Sequence, residues 1–229
     1  MRRSVLVFIC CLSVILLDVQ VSVAHDSDNH PNDYSYGPGA GNWNGWKIYL
    51  SPAHHWTGPK HGCGSYVEDD NMPLVAIAAA TFSPTPRANL SLVGRGYRVH
   101  VGRGDPDDNV DSSNAWAADR HIALHSNASG NEQCGGVGRG TRVFYKSGSA
   151  QGEELAMFLA EKVGDASPGT PDYPATHTFY ELLESDAKAA YLEAEFHDWT
   201  QGKNWLIDYE EWSWRIGYAV DEELGYPGG

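Results

Sequence analysis

Apolar positions along the chain follow two different periods. Short β-branched and aromatic runs at Ile48-Tyr49-Leu50, Tyr97–Val101, His121–Asn127, Thr141–Lys146 and Tyr191–Phe196 predict strands. Between Gln151 and Val163, Leu155, Leu159 and Val163 fall four apart, which predicts an amphipathic helix with Glu153 and Glu154 in its first turn. Trp212, Ile216 and Val220 repeat that spacing in a helical tail from Asp208 to Leu224. The Ala-rich stretch Asn71–Thr81 reads as a buried helix, started by the Asp69-Asp70-Asn71 cap signals and closed by Ser83-Pro84-Thr85-Pro86. Shorter helices are expected near Ser113–Ala118 and Phe179–Ala187. Strands and helices therefore alternate, which predicts a single α/β domain with a largely parallel twisted sheet flanked by helices. No internal repeat suggests a solenoid.

The longest apolar run is Val5–Leu17, at the start of the chain. Arg2 and Arg3 precede it and Ser22-Val23-Ala24 follows, so residues 1–24 read as a secretory signal peptide. The run is short for a spanning helix. The expectation is a secreted protein, extracellular or periplasmic, with no stable membrane association after cleavage. Residues 25–45 are rich in Gly, Asn and Asp and read as a flexible entry segment or an extended arm, with His25 and His30 in solvent. That leaves 46–224 for the folded domain. Asp105–Asp111 reads as a solvated acidic loop; Pro106 and the absence of a turn glycine depart from the usual calcium loop.

Composition narrows the function. The chain has 229 residues, 16 basic and 30 acidic, for a net charge of −14; removing Arg2, Arg3 and Asp18 takes it to −15. Such an acidic chain is a poor nucleic-acid binder. Cys10 and Cys11 lie in the expected signal, which leaves Cys63 and Cys134. In an oxidising compartment such a pair suggests one disulfide.

The stretch Lys47–Asp70 carries the densest chemistry. A strand breaks at Ser51-Pro52 and delivers His54 and His55; a Gly-rich loop then leads to Glu68-Asp69-Asp70. Two histidines and a carboxylate, with a fourth position left to water, make a hydrolytic zinc site. In parallel sheets ligands sit at the carboxyl ends of strands, where His54, His125 and Glu193 fall. Spacing alone does not choose, because ten histidines and thirty acids allow many triplets. Taken singly, His125 reads as a core histidine, Glu68 as a helix N-terminal charge and Glu193 as a salt-bridged strand residue.

Several segments, in order, resemble the zinc-dependent N-acetylmuramoyl-L-alanine amidases of the amidase_3 family, across roughly Trp46 to Tyr218. Ser51-Pro52-Ala53-His54 resembles the family's Pro-Gly-His. Glu68-Asp69-Asp70-Asn71-Met72 resembles Glu-x-x-Asn-Leu. Ala118-Asp119 with Ile122–Ala128 resembles Ala-Asp-x-x-Ile-x-x-His-x-Asn-Ala, and Gly140–Tyr145 matches the strand that follows. Leu192–Asp198 resembles a Glu-x-x-Phe-His-Asp variant.

This resemblance implies Zn²⁺ held by His54, Glu68 and His125, with Glu193 as the catalytic glutamate. The expected reaction is hydrolysis of the amide between N-acetylmuramic acid and L-alanine, in peptidoglycan or muropeptides. Two alternatives stay open within it: His55 for His54, and Glu195, which at i+2 shares a strand face with Glu193. The family has His-Gly-Gly where this chain has His54-His55-Trp56, so an indole stands where small residues normally clear space. A disulfide between Cys63 and Cys134 would tie together two ligand-bearing loops. Asn127-Ala128-Ser129 fits a glycosylation pattern, as does Asn89-Leu90-Ser91, but the family motif explains Asn127 better. Of the eight tryptophans, Trp199, Trp205, Trp212 and Trp214 cluster late; some could stack on sugar rings, while Trp212 shares the helix core spacing. Rival readings are a wall-glycan binding module on the same fold, and a zinc amidase or peptidase acting on a non-wall amide.

Overall fold

The computed structural model describes residues 33–81, 88–130 and 134–226; the expected signal peptide lies outside them. Seven strands form one sheet: β1 (Tyr34–Tyr36), β2 (Lys47–Pro52), β3 (Arg98–Val101), β4 (Arg120–Asn127), β5 (Arg142–Tyr145), β6 (Ala175–Thr176) and β7 (Lys188–Phe196). Their order is β1-β3-β2-β4-β7-β5-β6. The central strands β3, β2, β4 and β7 are mutually parallel, and β1 and β5 pair antiparallel at the flanks. Strands buried on both faces become continuously apolar. β2 and β4 follow this rule only in their middles, Ile48–Leu50 and Ile122–Leu124, with polar residues at both ends.

Helices cover both faces. α1 (Glu68–Thr81), α3 (Ala150–Gly164) and α6 (Arg215–Glu223) pack on one side, over the main core of Ile48, Leu50, Leu124, Leu192, Leu159 and Ile216. α2 (Pro106–Ala115) and α4 (Tyr180–Glu184) pack on the other, over Ala123, Leu182, Ala189 and Tyr191. α5 (Thr200–Ile207) packs against β7. As expected, Leu155, Leu159 and Val163 are buried. Trp212, Ile216 and Val220 are buried too, but the tail expected to be one helix from Asp208 becomes α-helical only at Arg215, beyond Trp212. Ser149 caps α3, its hydroxyl accepting from the Gly152 N–H.

Four elements differ from the sequence reading. Tyr34–Tyr36, inside the segment expected to be flexible, is an edge strand with Tyr36 buried against the core; two tyrosines at alternate positions outweigh the Gly- and Asn-rich surroundings. The acidic segment expected to be a loop forms α2 from Pro106. Proline at the first helical position and Asp107 and Asp108 in the first turn all favour a helix start. α5 and the edge strand β6 were not foreseen. The first is too short for its period to stand out, and the second is two residues long.

Candidate metal centre

The site assembles at the carboxyl ends of β2, β4 and β7. β2 ends at Pro52, and the Ala53 N–H still donates to the Leu124 carbonyl at 2.8 Å. That bond holds Ala53 down on the sheet, where it is buried. In extended chain, neighbouring side chains point to opposite sides. His54 accordingly points out; its side chain is 55% exposed and its Nδ1 lies 2.5 Å from Asp105 Oδ1. His55 turns in. Its Nδ1 meets Asp69 Oδ2 at 2.6 Å and its Nε2 lies 3.7 Å from Glu68 Oε2.

Among the described residues, His55, Glu68 and His125 form a group whose ligand atoms, one from each, lie within 4.8 Å of one another. The structure therefore brings together Glu68 and His125 from the expected set, with His55 in place of His54. The Pro-x-His alignment selects a residue that the backbone turns outward.

Glu68 opens α1, where the helix dipole favours a carboxylate. Its Oε1 accepts from the Ser126 N–H at 2.7 Å and lies 3.1 Å from His125 Nδ1. Burial pushes this carboxyl up, but the hydrogen bond and charge of His125, with His55, hold it below the usual range. His125 faces carboxylates on two sides, because its Nε2 lies 3.7 Å from Glu181 Oε2. Burial lowers its pKa, yet Glu181 and Glu68 together push it up to about 10.

Glu181, on α4, was not singled out in the sequence. It is buried, meets His121 Nε2 at 3.1 Å and accepts from the Ser51 hydroxyl, which in turn accepts from Asn109 Nδ2 at 2.9 Å. Burial raises the Glu181 carboxyl, but His121 and His125 pull it down to about 2. A single acid in a five-residue helix carries no sequence signal of this role. The tertiary pairing of α4 with β4 creates it.

Glu193 pairs with His125 across the β4–β7 ladder and with Arg142 across β5–β7. Its Oε2 is sealed from solvent and has no hydrogen-bond partner. Burial raises its pKa to about 7; His125 and Arg142 oppose that rise and Glu68 adds to it. A bulge sets Glu195 apart from Glu193. The register steps from His125↔Glu193 to Asn127↔Phe196, so one extra residue in β7 breaks the i, i+2 relation. Glu195 turns away, accepting from the Gly140 N–H at 2.8 Å and from the Ser167 hydroxyl.

The residues after β7 tie down the surrounding loops. The Cys63 N–H donates to the His197 carbonyl at 2.9 Å, and Gly62 approaches so closely that a Cβ there would meet that oxygen at 2.6 Å. His197 Nδ1 and Tyr66 OH each lie 2.8 Å from Ser126 Oγ. Asp198 accepts from the Ser129 N–H at 2.7 Å. Cys63 and Cys134 form the expected disulfide across the same corner, with their Cα atoms 4.5 Å apart.

Two clefts meet at the group. One, of about 240 Å³, is polar and includes Lys60, Asn127, Glu193 and His197. The other, of about 150 Å³, is aromatic and includes Trp56, Phe179, Tyr180 and Tyr191. His55 and His125 line both.

With this geometry in view, comparison with solved structures is decisive for the architecture. N-acetylmuramoyl-L-alanine amidase from Clostridium difficile 630 superposes with a TM-score of 0.65 at 19% identity, covering 80% of this chain and 98% of that one. The fold is that of the N-acetylmuramoyl-L-alanine amidases. The amidase fold recurs in the CwlV catalytic domain from Bacillus (Paenibacillus) polymyxa var. colistinus, at TM-score 0.63 and 15% identity over 79% of this chain and 99% of that one. AmiC2 of Nostoc punctiforme gives 0.62 at 17% identity, over 79% and 96%. No family model matches the sequence, and no curated protein does. The amidase fold is thus shared at low identity.

Proposed function

We propose that this protein is a secreted zinc-dependent amidase that hydrolyses the bond between N-acetylmuramic acid and L-alanine in peptidoglycan. The observation that carries this reading is a His/Glu/His donor group beside a sealed, unpartnered carboxylate oxygen, at the carboxyl end of an amidase-fold sheet. The donor set fits zinc: two imidazoles and one carboxylate are ordinary zinc ligands and leave a position open. Asp69 at His55 Nδ1 supports the fit, because it fixes the tautomer that leaves Nε2 to bind.

His55, Glu68 and His125 would hold the ion. Bound there, zinc supplies Lewis-acid polarisation of the scissile carbonyl and acidifies water. Glu193 is the proton carrier. A carboxyl poised near pH 7 accepts the proton of attacking water and returns it to the leaving amine of alanine. Glu181 holds the His125 ring from behind, and the Ser126 N–H holds Glu68. The disulfide suits an oxidising compartment, and residues 1–24 suit export.

The deciding experiment incubates the zinc-loaded protein with purified sacculi and identifies the products by mass spectrometry. Peptides bearing a free amino-terminal alanine are expected. Intact sacculi, or cleavage at another amide, overturn the reading.

A further inference from the structure

The aromatic cleft is not needed to hold the metal group. Trp56 follows His55 directly and is 59% exposed; Tyr180 precedes Glu181 directly and is 41% exposed. Their rings meet edge to face with centroids 6.0 Å apart. The indole N–H donates to Asp107 Oδ1 at 2.9 Å, so the ring is fixed to the first turn of α2 while its surface stays open. Beneath them Tyr191 lies between two stacked rings, Phe179 at 4.2 Å and His125 at 4.3 Å. Two large aromatics left in water beside a buried reactive centre are unsatisfied as core and well placed as a platform.

Lining distinguishes the two clefts. The aromatic cleft has Trp56, Phe179, Tyr180 and Tyr191 in its wall and no lysine or arginine, and its buried carboxylate, Glu181, is already paired with His125. The polar cleft has Lys60 in its wall, with Glu68 and Glu193 at the metal group. For a substrate whose reacting bond lies at the metal group, the aromatic wall suits a neutral ring, and of the two walls the one with the lysine suits a carboxylate. Pyranose rings present flat C–H faces that stack on aromatics, and their hydroxyls suit acceptors such as Asp107.

We propose that the Trp56–Tyr180 cleft is a pyranose-binding subsite that holds the sugar side of the scissile amide, with the peptide side directed across the Lys60 cleft. The proposal rests on the amidase reading for the identity of the bond, but the sugar subsite is testable without turnover.

The probes are an uncharged N-acetylglucosamine disaccharide and an alanyl-glutamate dipeptide, each titrated into the zinc-loaded protein. The readout is the indole N–H resonance of Trp56, assigned by its loss in Trp56→Phe. The disaccharide should shift this resonance saturably and the dipeptide should not. Trp56→Ala and Tyr180→Ala should each weaken disaccharide binding by about tenfold, and Trp56→Phe by less. With a muramoyl dipeptide as substrate, Trp56→Ala should raise KM and largely spare kcat. An unmoved indole resonance, a shift caused by the dipeptide instead, or a fall in kcat at constant KM overturns the proposal; the last would make Trp56 a loop staple. If sacculi stay intact while the disaccharide still shifts Trp56, the amidase reading fails and the pyranose subsite stands.

Discussion

His125 and Glu193 face each other on neighbouring parallel strands, one rung before the bulge in β7. The backbone ladder of the sheet therefore sets their separation. On the proposed mechanism, a carboxyl placed this way would serve the metal group from a strand and not from a loop. Replacing Glu193 with Gln keeps the shape and removes the ionisable carboxyl. Activity on sacculi should fall by at least about a hundredfold, while elemental analysis still finds one zinc per chain. Loss of the zinc would move Glu193 into the ligand set.

His54 and His55 should behave as opposites. His55→Ala should lower zinc affinity by at least about tenfold, the scale seen even for residues that only support a ligand. His54→Ala should bind zinc as the parent does, because its imidazole turns out towards Asp105. Competition with a chromogenic chelator reads both.

The metal-free protein should lose stability as pH rises from 4.5 towards 7. The folded pKa of Glu193 lies above its ordinary value of 4.5, at about 7, so in that interval the native state binds more protons than the unfolded one. Unfolding free energy then falls with rising pH. Glu181 acts in the opposite sense at lower pH: its folded pKa of about 2 gives a contribution lost as pH falls from 4.5 to 2. Denaturant melts in chelator should show the decline from pH 4.5 upwards; Glu193→Gln should flatten it up to about pH 6.5, above which the raised pKa of His125 adds a decline of its own.

Removing Glu181 should cost more than removing a surface acid. Glu181→Ala leaves His121 buried without its carboxylate and His125 with Glu68 alone, a loss of about 3–5 kcal/mol for a broken buried pair. Glu181→Gln keeps the hydrogen-bonding shape and should cost less. Urea midpoints at pH 7 compare the three proteins.

Cys63→Ser should also destabilise. The bridge joins residues 71 apart, for which chain entropy gives about 4 kcal/mol. The unfolded, unreduced protein should show no thiols in this pair.

The parts legible in the sequence were those set by local periodicity. The central strands and α3 follow from spacing, because burial on a repeating face leaves a repeating pattern. Segment resemblance, in the right order, names Glu68, His125 and Glu193, which the fold brings to one end of the sheet. It leaves the choice between His54 and His55 open, since which ring turns inward follows from the backbone after Ala53, held to Leu124, which no residue type encodes. Glu195 was separable from Glu193 only through a bulge, which breaks the two-residue period. Glu181 and the Trp56–Tyr180 pair arise where α4 meets the loop after β2, a long-range contact with no local signature.

The bridge between Cys63 and Cys134 closes a covalent ring in the chain. Glu68 and His125 lie inside this ring; His55 and Glu193 lie outside it. A single backbone cut anywhere between the two cysteines would leave one covalently connected molecule, still carrying both inner ligands. A cut between His55 and Cys63 would instead leave His55 on a separate chain, and a cut between Cys134 and Glu193 would do the same to Glu193, each held only by the pairing of its strand. Tolerance to nicking is thus unevenly distributed around the metal group: the stretch inside the ring is covalently secured, and the two links outside it are not.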